Sequence, residues 1–274
     1  MNNVTDRVSL PIGIDFNGSR YREVIIDEMT GVDEENMASP KVRNNGSKAI
    51  TLLLRRCIQE IPGVMPKKTN PMSLCDESII RKMYAADRDY LMLCIRALSG
   101  KSEVPVPFYC VSCGTGQTRD VALSDLEVYE WDDSEPIVEI ELEKGIFDDL
   151  DKQYKKRLTW KLPTGLTQEK VSELPENQAG SGVIVAGIQS VEGMDHSPTI
   201  DDIRKLSLRD RQIIADTITD NAVGVDPKIT LPCESCGADC SAEVDFAGFF
   251  SLAPPKTQTR SSGGKTGRRL RKRP

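Results

Sequence analysis

The same five-residue pattern occurs twice in the sequence, as Cys110-Val111-Ser112-Cys113-Gly114 and as Cys233-Glu234-Ser235-Cys236-Gly237. Two thiolates at this spacing can hold one side of a metal ion, and the glycine lets the backbone turn beneath the ion without a clash from a Cβ atom. The half-sites of a zinc ribbon are usually about 15–20 residues apart, whereas Cys233 lies 120 positions after Cys113. We therefore expect a zinc ribbon with a whole subdomain between its halves; two unrelated turns are the alternative.

The residues that flank the two patterns favour a common site. A shift of 123 positions places Cys110, Cys113 and Gly114 on Cys233, Cys236 and Gly237. The same shift aligns apolar flanking residues: Val106 with Ile229, Val121 with Val244, Leu123 with Phe246, and Leu126 with Phe249. Alternating apolar residues on both sides of a turn predict a β-hairpin around each cysteine pair. We predict one Zn2+ ion bound by four metal ligands, Cys110, Cys113, Cys233 and Cys236.

The other cysteines do not belong to this doubled pattern. Cys240 falls opposite Gln117 under the same shift, so we interpret it as a spare thiol, with replacement of one ligand as the alternative. Cys57, Cys75 and Cys94 are widely spaced, which is typical of small buried apolar residues. The first 15 residues do not resemble a secretory signal peptide. Cysteine pairs at ligand spacing are then expected to bind metal rather than to form disulfides.

Charge is distributed unevenly along the 274 residues. The formal net charge is −6, yet the segment from Lys256 to Pro274 carries eight Lys or Arg residues and no acid. An acidic body with a basic tail argues against nucleic-acid binding by the whole protein, although the tail alone could contact phosphate or an acidic partner. No apolar run approaches the roughly 18 residues of a membrane helix, so no membrane segment is expected.

Hydrophobic periodicity predicts an α+β fold: an N-terminal helical module plus a zinc-ribbon-like pair of Cys hairpins with a long α/β insertion between them. Helices are expected after Gly31, over 50–61 and 75–98, over 166–174 and 181–191, and after capping boxes at Thr199 and Ser207. The predicted units are an irregular N-terminal arm (1–20), a helical module (21–100), the first hairpin (101–124), an inserted α+β subdomain (125–225), the second hairpin (226–252) and a disordered basic tail (253–274).

No catalytic constellation is recognisable in the sequence. The single histidine, His196, lies in a polar loop and is interpreted as a surface residue. Phosphate-binding glycine loops, nucleophile elbows and zinc-hydrolase histidine pairs are all missing. A metal ion held by four thiolates has no open coordination position for a substrate. We therefore expect a protein that is not an enzyme.

Several short motifs occur in a distinctive order along the chain. They are the acidic helix after Gly31, Leu53-Leu54-Arg55-Arg56-Cys57-Ile58, Asp87-Arg88-Asp89-Tyr90-Leu91-Met92-Leu93, Leu162-Pro163-Thr164-Gly165, Leu208-Arg209-Asp210-Arg211, and Val244-Asp245-Phe246 with Phe249-Phe250. Over about residues 20–252 this order resembles the baseplate-hub and hub-assembly family of contractile-tailed bacteriophages of the T-even type. The basic tail and the metal site are not part of the resemblance.

The resemblance implies a non-enzymatic virion or assembly protein. Its partners would be other tail baseplate or hub proteins, and self-association is open. It would be found in the host cytoplasm during assembly, and whether it stays in the virion tail baseplate is open. The alternative is a zinc-ribbon nucleic-acid-binding protein of transcription or replication, but the flanks of the second pair are acidic, at Glu234, Asp239, Glu243 and Asp245. Contact with nucleic acid is therefore expected only through the basic tail.

Overall fold

The computed structural model describes residues 5–39, 45–100 and 102–244. The predicted matches at Phe246 and Phe249 and the predicted tail 253–274 lie outside these ranges. The helices are α1 Gly31–Ala38, α2 Gly46–Cys57, α3 Glu77–Lys82, α4 Ala85–Leu98, α5 Gly165–Ser172, α6 Glu176–Gly187, α7 Ile200–Arg204 and α8 Leu208–Asp220, with a 3-10 turn at Leu123–Asp125. The strands are β1 Thr5–Phe16, β2 Ser19–Asp27, β3 Ile58–Glu60, β4 Glu103–Tyr109, β5 Gly116–Ala122, β6 Val128–Tyr129, β7 Ile137–Asp148, β8 Gln153–Lys161, β9 Ile188–Val191, β10 Gly224–Val225, β11 Lys228–Pro232 and β12 Asp239–Glu243.

The predicted α+β class is confirmed, since helices and antiparallel strands alternate along the chain. Within the described ranges, no helix has the length and apolar character that crossing a membrane would require.

The expectation of an irregular N-terminal arm is wrong, because residues 5–16 form strand β1. This strand pairs antiparallel with β2, and β3 pairs with the other edge of β2. Pro11 and Gly13 suggested an irregular segment, but they lie where the register of the pairing shifts, between Ser9 and Ile14. Residues 10–14 are all buried at this irregularity: Val8, Leu10 and Ile14 pack in the first module's apolar cluster, whereas Ile12 packs in that of the second module.

The helix expected over 75–98 is interrupted: α3 ends at Lys82, and α4 begins at Ala85. Met83 and Tyr84 are extended because their backbone pairs with a distant segment. The Ala85 amide donates to the Pro163 carbonyl at 2.8 Å, and the Gly165 amide donates to the Met83 carbonyl at 2.9 Å. Hydrophobic periodicity reflects the local preference of a segment for helix or strand. It therefore could not predict a break that depends on pairing with residues about 80 positions away.

The helices expected over 50–61 and 181–191 both end earlier than predicted. In each case the chain passes directly from the helix into a short edge strand, from α2 into β3 and from α6 into β9. The two helix starts predicted from capping boxes are confirmed. Thr199 forms a capping box with Asp202, and the Ser207 hydroxyl accepts from the Asp210 amide at 3.0 Å.

The segment between the Cys hairpins repeats the layout of the N-terminal part of the chain. We call residues 5–98 the first module and residues 137–220 the second module. Each consists of a bulged hairpin, two helices, an edge strand and two further helices, and the sheet orders β1-β2-β3 and β7-β8-β9 correspond. The two units are therefore structural repeats that the sequence analysis did not recognise.

A repeated motif carries the same contacts in both modules. It consists of Ile-Arg-Lys followed by Asp-Arg, at Ile80–Lys82 with Asp87-Arg88 and, 123 positions later, at Ile203–Lys205 with Asp210-Arg211. Arg88 Nη1 donates to the Ile80 carbonyl at 3.1 Å, and Arg211 Nη1 donates to the Ile203 carbonyl at 3.2 Å. Each Asp accepts backbone amides from the bulge of its own module's first strand. The motif thus fixes the last helix of each module to its sheet.

The second module contacts the first through α5, which packs on α2 and α3. Glu169 of α5 is 3% exposed. Its Oε1 accepts from Thr51 Oγ1 at 2.6 Å, and its Oε2 pairs with Arg81 Nη2 at 2.6 Å. The backbone at Gly165 approaches the Arg88 guanidinium so closely that a Cβ atom would overlap it. This contact is called the module interface below.

Candidate metal centre

Both predicted Cys hairpins are present in the structure. Strands β4 and β5 form the first, and β11 and β12 form the second. Burial alternates along β4, which places Val104, Val106 and Phe108 on the inner side. The inner residues of both hairpins share one apolar cluster that includes Cys110 and Cys233. The hairpins thus pack on each other and bring the ends of β4 and β11 together.

The two Cys turns have the same backbone structure. The Gly114 amide donates to the Cys110 carbonyl at 2.9 Å, and the Gly237 amide donates to the Cys233 carbonyl at 2.8 Å. The two glycines have φ values of +75° and +73°. Side chains with a Cβ atom are strained in this left-handed region, so the turn depends on glycine. The equivalence of the two motifs, inferred from their spacing, therefore extends to their backbone geometry.

The structure brings all four predicted ligands together. The sulfur atoms of Cys110, Cys113, Cys233 and Cys236 lie within 4.8 Å of one another. The closest pairs are Cys110 with Cys236 at 3.7 Å and Cys113 with Cys233 at 3.6 Å. Four ligands at about 2.3 Å in a tetrahedron have sulfurs about 3.8 Å apart. The four thiols could therefore hold one metal ion.

Neighbouring amides and sulfurs shift the pKa values of Cys110, Cys233 and Cys236. The amide of Cys113 lowers the pKa of Cys110 to about 6. Burial raises the pKa of Cys233, but the Cys236 and Ser235 amides outweigh it and the pKa is lowered. The Ala238 amide lowers the pKa of Cys236, whereas hydrogen bonds with the three neighbouring sulfurs raise it to about 12. Four negative charges at this distance repel one another, so a bound cation is what would allow all four to ionise together.

Each hairpin also reaches across to the first cysteine of the other. Gln117 Nε2 of the first hairpin donates to Cys233 Sγ at 2.9 Å, while its Oε1 accepts from the Glu234 amide at 3.0 Å. Cys240 of the second hairpin is buried; its thiol donates to the Ala238 carbonyl at 3.5 Å, and it helps to lower the pKa of Cys110. Gln117 was not predicted to be functional, although its alignment with Cys240 was visible in the sequence. Both residues are placed to orient a ligand sulfur.

Cys57, Cys75, Cys94 and His196 lie away from this site. Cys57 and Cys75 are buried and Cys94 is half-buried, as expected for apolar packing. Burial raises the pKa of Cys57 to about 12, so this thiol is protonated at neutral pH. His196 is exposed in its loop. Cys240 lies outside the four-thiol group, in agreement with its interpretation as a spare thiol.

Comparison with known proteins gives one match. A family model described as T4 bacteriophage base plate protein matches residues 22–252. No curated protein matches the chain, and no solved structure matches it either. The matched stretch includes the first module from residue 22 onward, the whole second module and both Cys hairpins, and it extends beyond the described residues. The chain therefore belongs to the T4 bacteriophage base plate protein family, whose members are structural components of the phage tail baseplate.

Proposed function

We propose that this baseplate protein is a non-enzymatic component of the baseplate hub, or a hub-assembly protein, stabilised by a structural Zn2+ ion. The ion would be bound by Cys110, Cys113, Cys233 and Cys236. The observation that carries the zinc assignment is the convergence of these four thiols within 4.8 Å. The family carries the assignment to the baseplate. Zinc accepts four sulfur ligands in a tetrahedron and then has no position left for a substrate.

A metal at this place would contribute to the stability of the whole chain. A two-stranded hairpin is marginally stable on its own, and each Cys hairpin is a separate two-stranded sheet. An ion shared by both would join residues 120 positions apart, from Cys113 to Cys233. Such a link restricts the unfolded chain and couples metal binding to folding. A rigid component that holds neighbouring proteins in fixed positions benefits from this link.

The partners we expect are other baseplate or hub proteins, and the place of function is the virion tail. The two modules, which the metal site does not require, offer surfaces for these partners. Arg119 beside the Cys turns pairs with Glu234 at 3.9 Å, so this part of the surface is not purely basic. This agrees with a protein partner rather than nucleic acid at the Cys hairpins.

Metal analysis of the purified full chain tests the zinc site. We expect one zinc per chain, lost in Cys110→Ser and in Cys233→Ser together with a clear fall in Tm. Cys94→Ser is the matched control because this thiol is half-buried and outside the site; it should retain the metal. Absence of zinc in the unmodified chain, or stoichiometric iron in its place, would contradict the assignment.

The hub role requires a separate test in the phage. We expect that disruption of the gene yields baseplates whose central hub is missing or unassembled in electron micrographs, and that the unmodified gene restores it. Normal hubs in the absence of the protein would refute the hub role while leaving the zinc result unaffected. The two outcomes are therefore distinguishable.

A further inference from the structure

The module interface occurs once, although each module carries both of its surfaces. The second module contributes α5, and the first contributes α2 and α3. The repeat of α5 in the first module is α1, and the repeats of α2 and α3 in the second module are α6 and α7. We call the exposed side of α1 the donor surface, defined by Gly31, Val32 and Glu35. We call the equivalent region of the second module the acceptor surface, defined by Arg204, Leu208 and Arg211; Ser181 lies beneath it and is 4% exposed.

The donor surface repeats the residues with which α5 makes the module interface. Gly31, Val32 and Glu35 stand 134 positions before Gly165, Leu166 and Glu169. A glycine is required at 165 because the backbone lies against Arg88. At Gly31 no described atom lies within 4 Å of the place a Cβ would occupy. Val32 is 53% exposed, and Glu35 is exposed as well. Contacts within the described chain therefore do not explain why the first module carries the residue types with which α5 forms the module interface.

The acceptor surface has the matching partners already in position. Arg211 Nη1 donates to Ser181 Oγ at 3.0 Å, as Arg88 Nη2 donates to Thr51 Oγ1 at 2.9 Å in the module interface. Arg204 takes the place of Arg81, 123 positions earlier, and its side chain is 52% exposed. Its present partner is Asp201 at 3.2 Å, an exposed pair of the kind that contributes little.

Leu208 identifies the same surface independently. It is 86% exposed at the start of α8. The equivalent residue in the first module is Ala85, which is 8% exposed. Ala85 is covered because its backbone pairs with Pro163 of the second module. The position of Leu208 therefore corresponds to one that a donor segment covers in the module interface.

We propose that this protein binds a second copy of itself head to tail, with the donor surface of one copy on the acceptor surface of the next. In this contact Glu35 pairs with Arg204, as Glu169 does with Arg81, and Gly31 packs against Arg211, as Gly165 does against Arg88. The two surfaces differ, so the contact is heterologous and propagates into a ring or a filament. The proposal does not depend on bound zinc.

Two blocking variants of the full chain test the proposal. Gly31→Leu places a side chain where the donor backbone must approach Arg211, and Leu208→Asp places a charge under the donor segment. Both positions are exposed at a helix start, so each variant is expected to fold. We expect the unmodified chain to increase in mass with concentration in analytical ultracentrifugation. Each variant alone should stay monomeric over the same range, a weakening of association of at least about tenfold.

Mixing the variants gives the decisive measurement. Gly31→Leu keeps its acceptor surface, and Leu208→Asp keeps its donor surface, so an equal mixture should form a one-to-one dimer and nothing larger. Leu150→Asp is the matched control, because Leu150 is 77% exposed outside both surfaces, and it should associate like the unmodified chain. An unmodified chain that is monomeric at every concentration overturns the proposal, as does a mixture that remains monomeric. Zinc content should be the same in all variants, which separates this result from the proposed metal site.

Discussion

The two Cys hairpins and the two modules are both pairs of repeats, but they pair differently. Contact between the hairpins is reciprocal: Cys110 lies 3.7 Å from Cys236, and Cys113 lies 3.6 Å from Cys233. Contact between the modules runs in one direction. Glu169 of the second module is buried against the first, whereas its repeat equivalent Glu35 is exposed.

This difference separates closed contacts from open ones. A reciprocal contact between two equivalent units uses the corresponding surface of both, so nothing is left to bind a third unit. A one-directional contact leaves one unused surface at each end. The Cys hairpins would therefore stabilise the single chain, while the modules supply surfaces for further assembly. Residues at equivalent positions in the two modules should consequently respond differently to the same substitution.

The largest difference is expected between Glu169→Ala and Glu35→Ala. Removing Glu169 takes away the buried carboxylate that accepts from the Thr51 hydroxyl and pairs with Arg81, which should lower the free energy of unfolding by about 3 kcal/mol. The Glu35 change removes an exposed side chain and should alter it by less than about 0.5 kcal/mol in dilute solution. Urea denaturation of both variants measures this difference. Equal losses would show that α1 is buried as deeply as α5.

A smaller difference is expected between Gly165→Ala and Gly31→Ala. The added methyl group at 165 must displace the fully buried Arg88 guanidinium, which should cost about 2 kcal/mol. At Gly31 the methyl group enters open space at a helix start, and the stability should change by less than about 0.5 kcal/mol. Thermal unfolding at low protein concentration is the appropriate measurement. A large loss at Gly31 would indicate a contact that the described residues do not show.

The reciprocal contact between the two Cys hairpins can be tested at residues of one hairpin that contact the other. Gln117→Ala removes the amide that donates to Cys233 Sγ, and we expect zinc release to a chelator to become about tenfold faster. Cys240→Ala removes a thiol that helps to lower the pKa of Cys110, and it should have a smaller effect. Both variants should still bind one zinc. Complete loss of metal in Cys240→Ala would mean that Cys240 is a ligand.

The sequence predicted the features whose causes are local. The Cys-x-x-Cys-Gly pattern and the alternating residues around it specify a hairpin with a left-handed glycine, and both hairpins are where they were expected. Thr199 and Ser207 cap helices because their hydroxyls reach amides three residues away. The convergence of the four thiols could be predicted because the two patterns are alike, even though 120 positions separate Cys113 from Cys233.

The features that were missed have distant causes. Pro11 and Gly13 indicate an irregular segment unless the partner strand β2 is known, because they lie where the pairing shifts register. The break between α3 and α4 follows from pairing with Thr164. The module repeat did leave a signal, in the two Ile-Arg-Lys motifs, each followed by Asp-Arg, but this signal lies outside the Cys hairpins and is short.

The smallest difference concerns two buried carboxylates of this repeated motif. Asp87 accepts the amides of Ile12 and Gly13 at 2.8 and 3.0 Å. Burial outweighs these bonds and raises its pKa to about 7. Asp210 is also affected by burial, but the Ser207 hydroxyl and three amides, from Glu143, Lys144 and Gly145, outweigh it and lower its pKa. Carbon-13 NMR titration of the carboxyl groups should show the two pKa values on opposite sides of the ordinary value.

The two shifts have opposite consequences for stability. Between the pKa of the unfolded chain and about 7, folded Asp87 holds a proton that the unfolded chain has lost, so stability falls as pH rises through this window. Most of that loss is complete by pH 7, and only about 0.4 kcal/mol should remain between pH 7 and 8. Asp210 contributes stability above its unfolded pKa, which is lost as pH falls through its lowered folded pKa. Asp87→Asn should abolish this loss of stability between the unfolded pKa and about pH 7. If the free energy of unfolding of the variant fell with pH as steeply as before, the Asp87 carboxylate would be ionised in the folded chain, as that of Asp210 is.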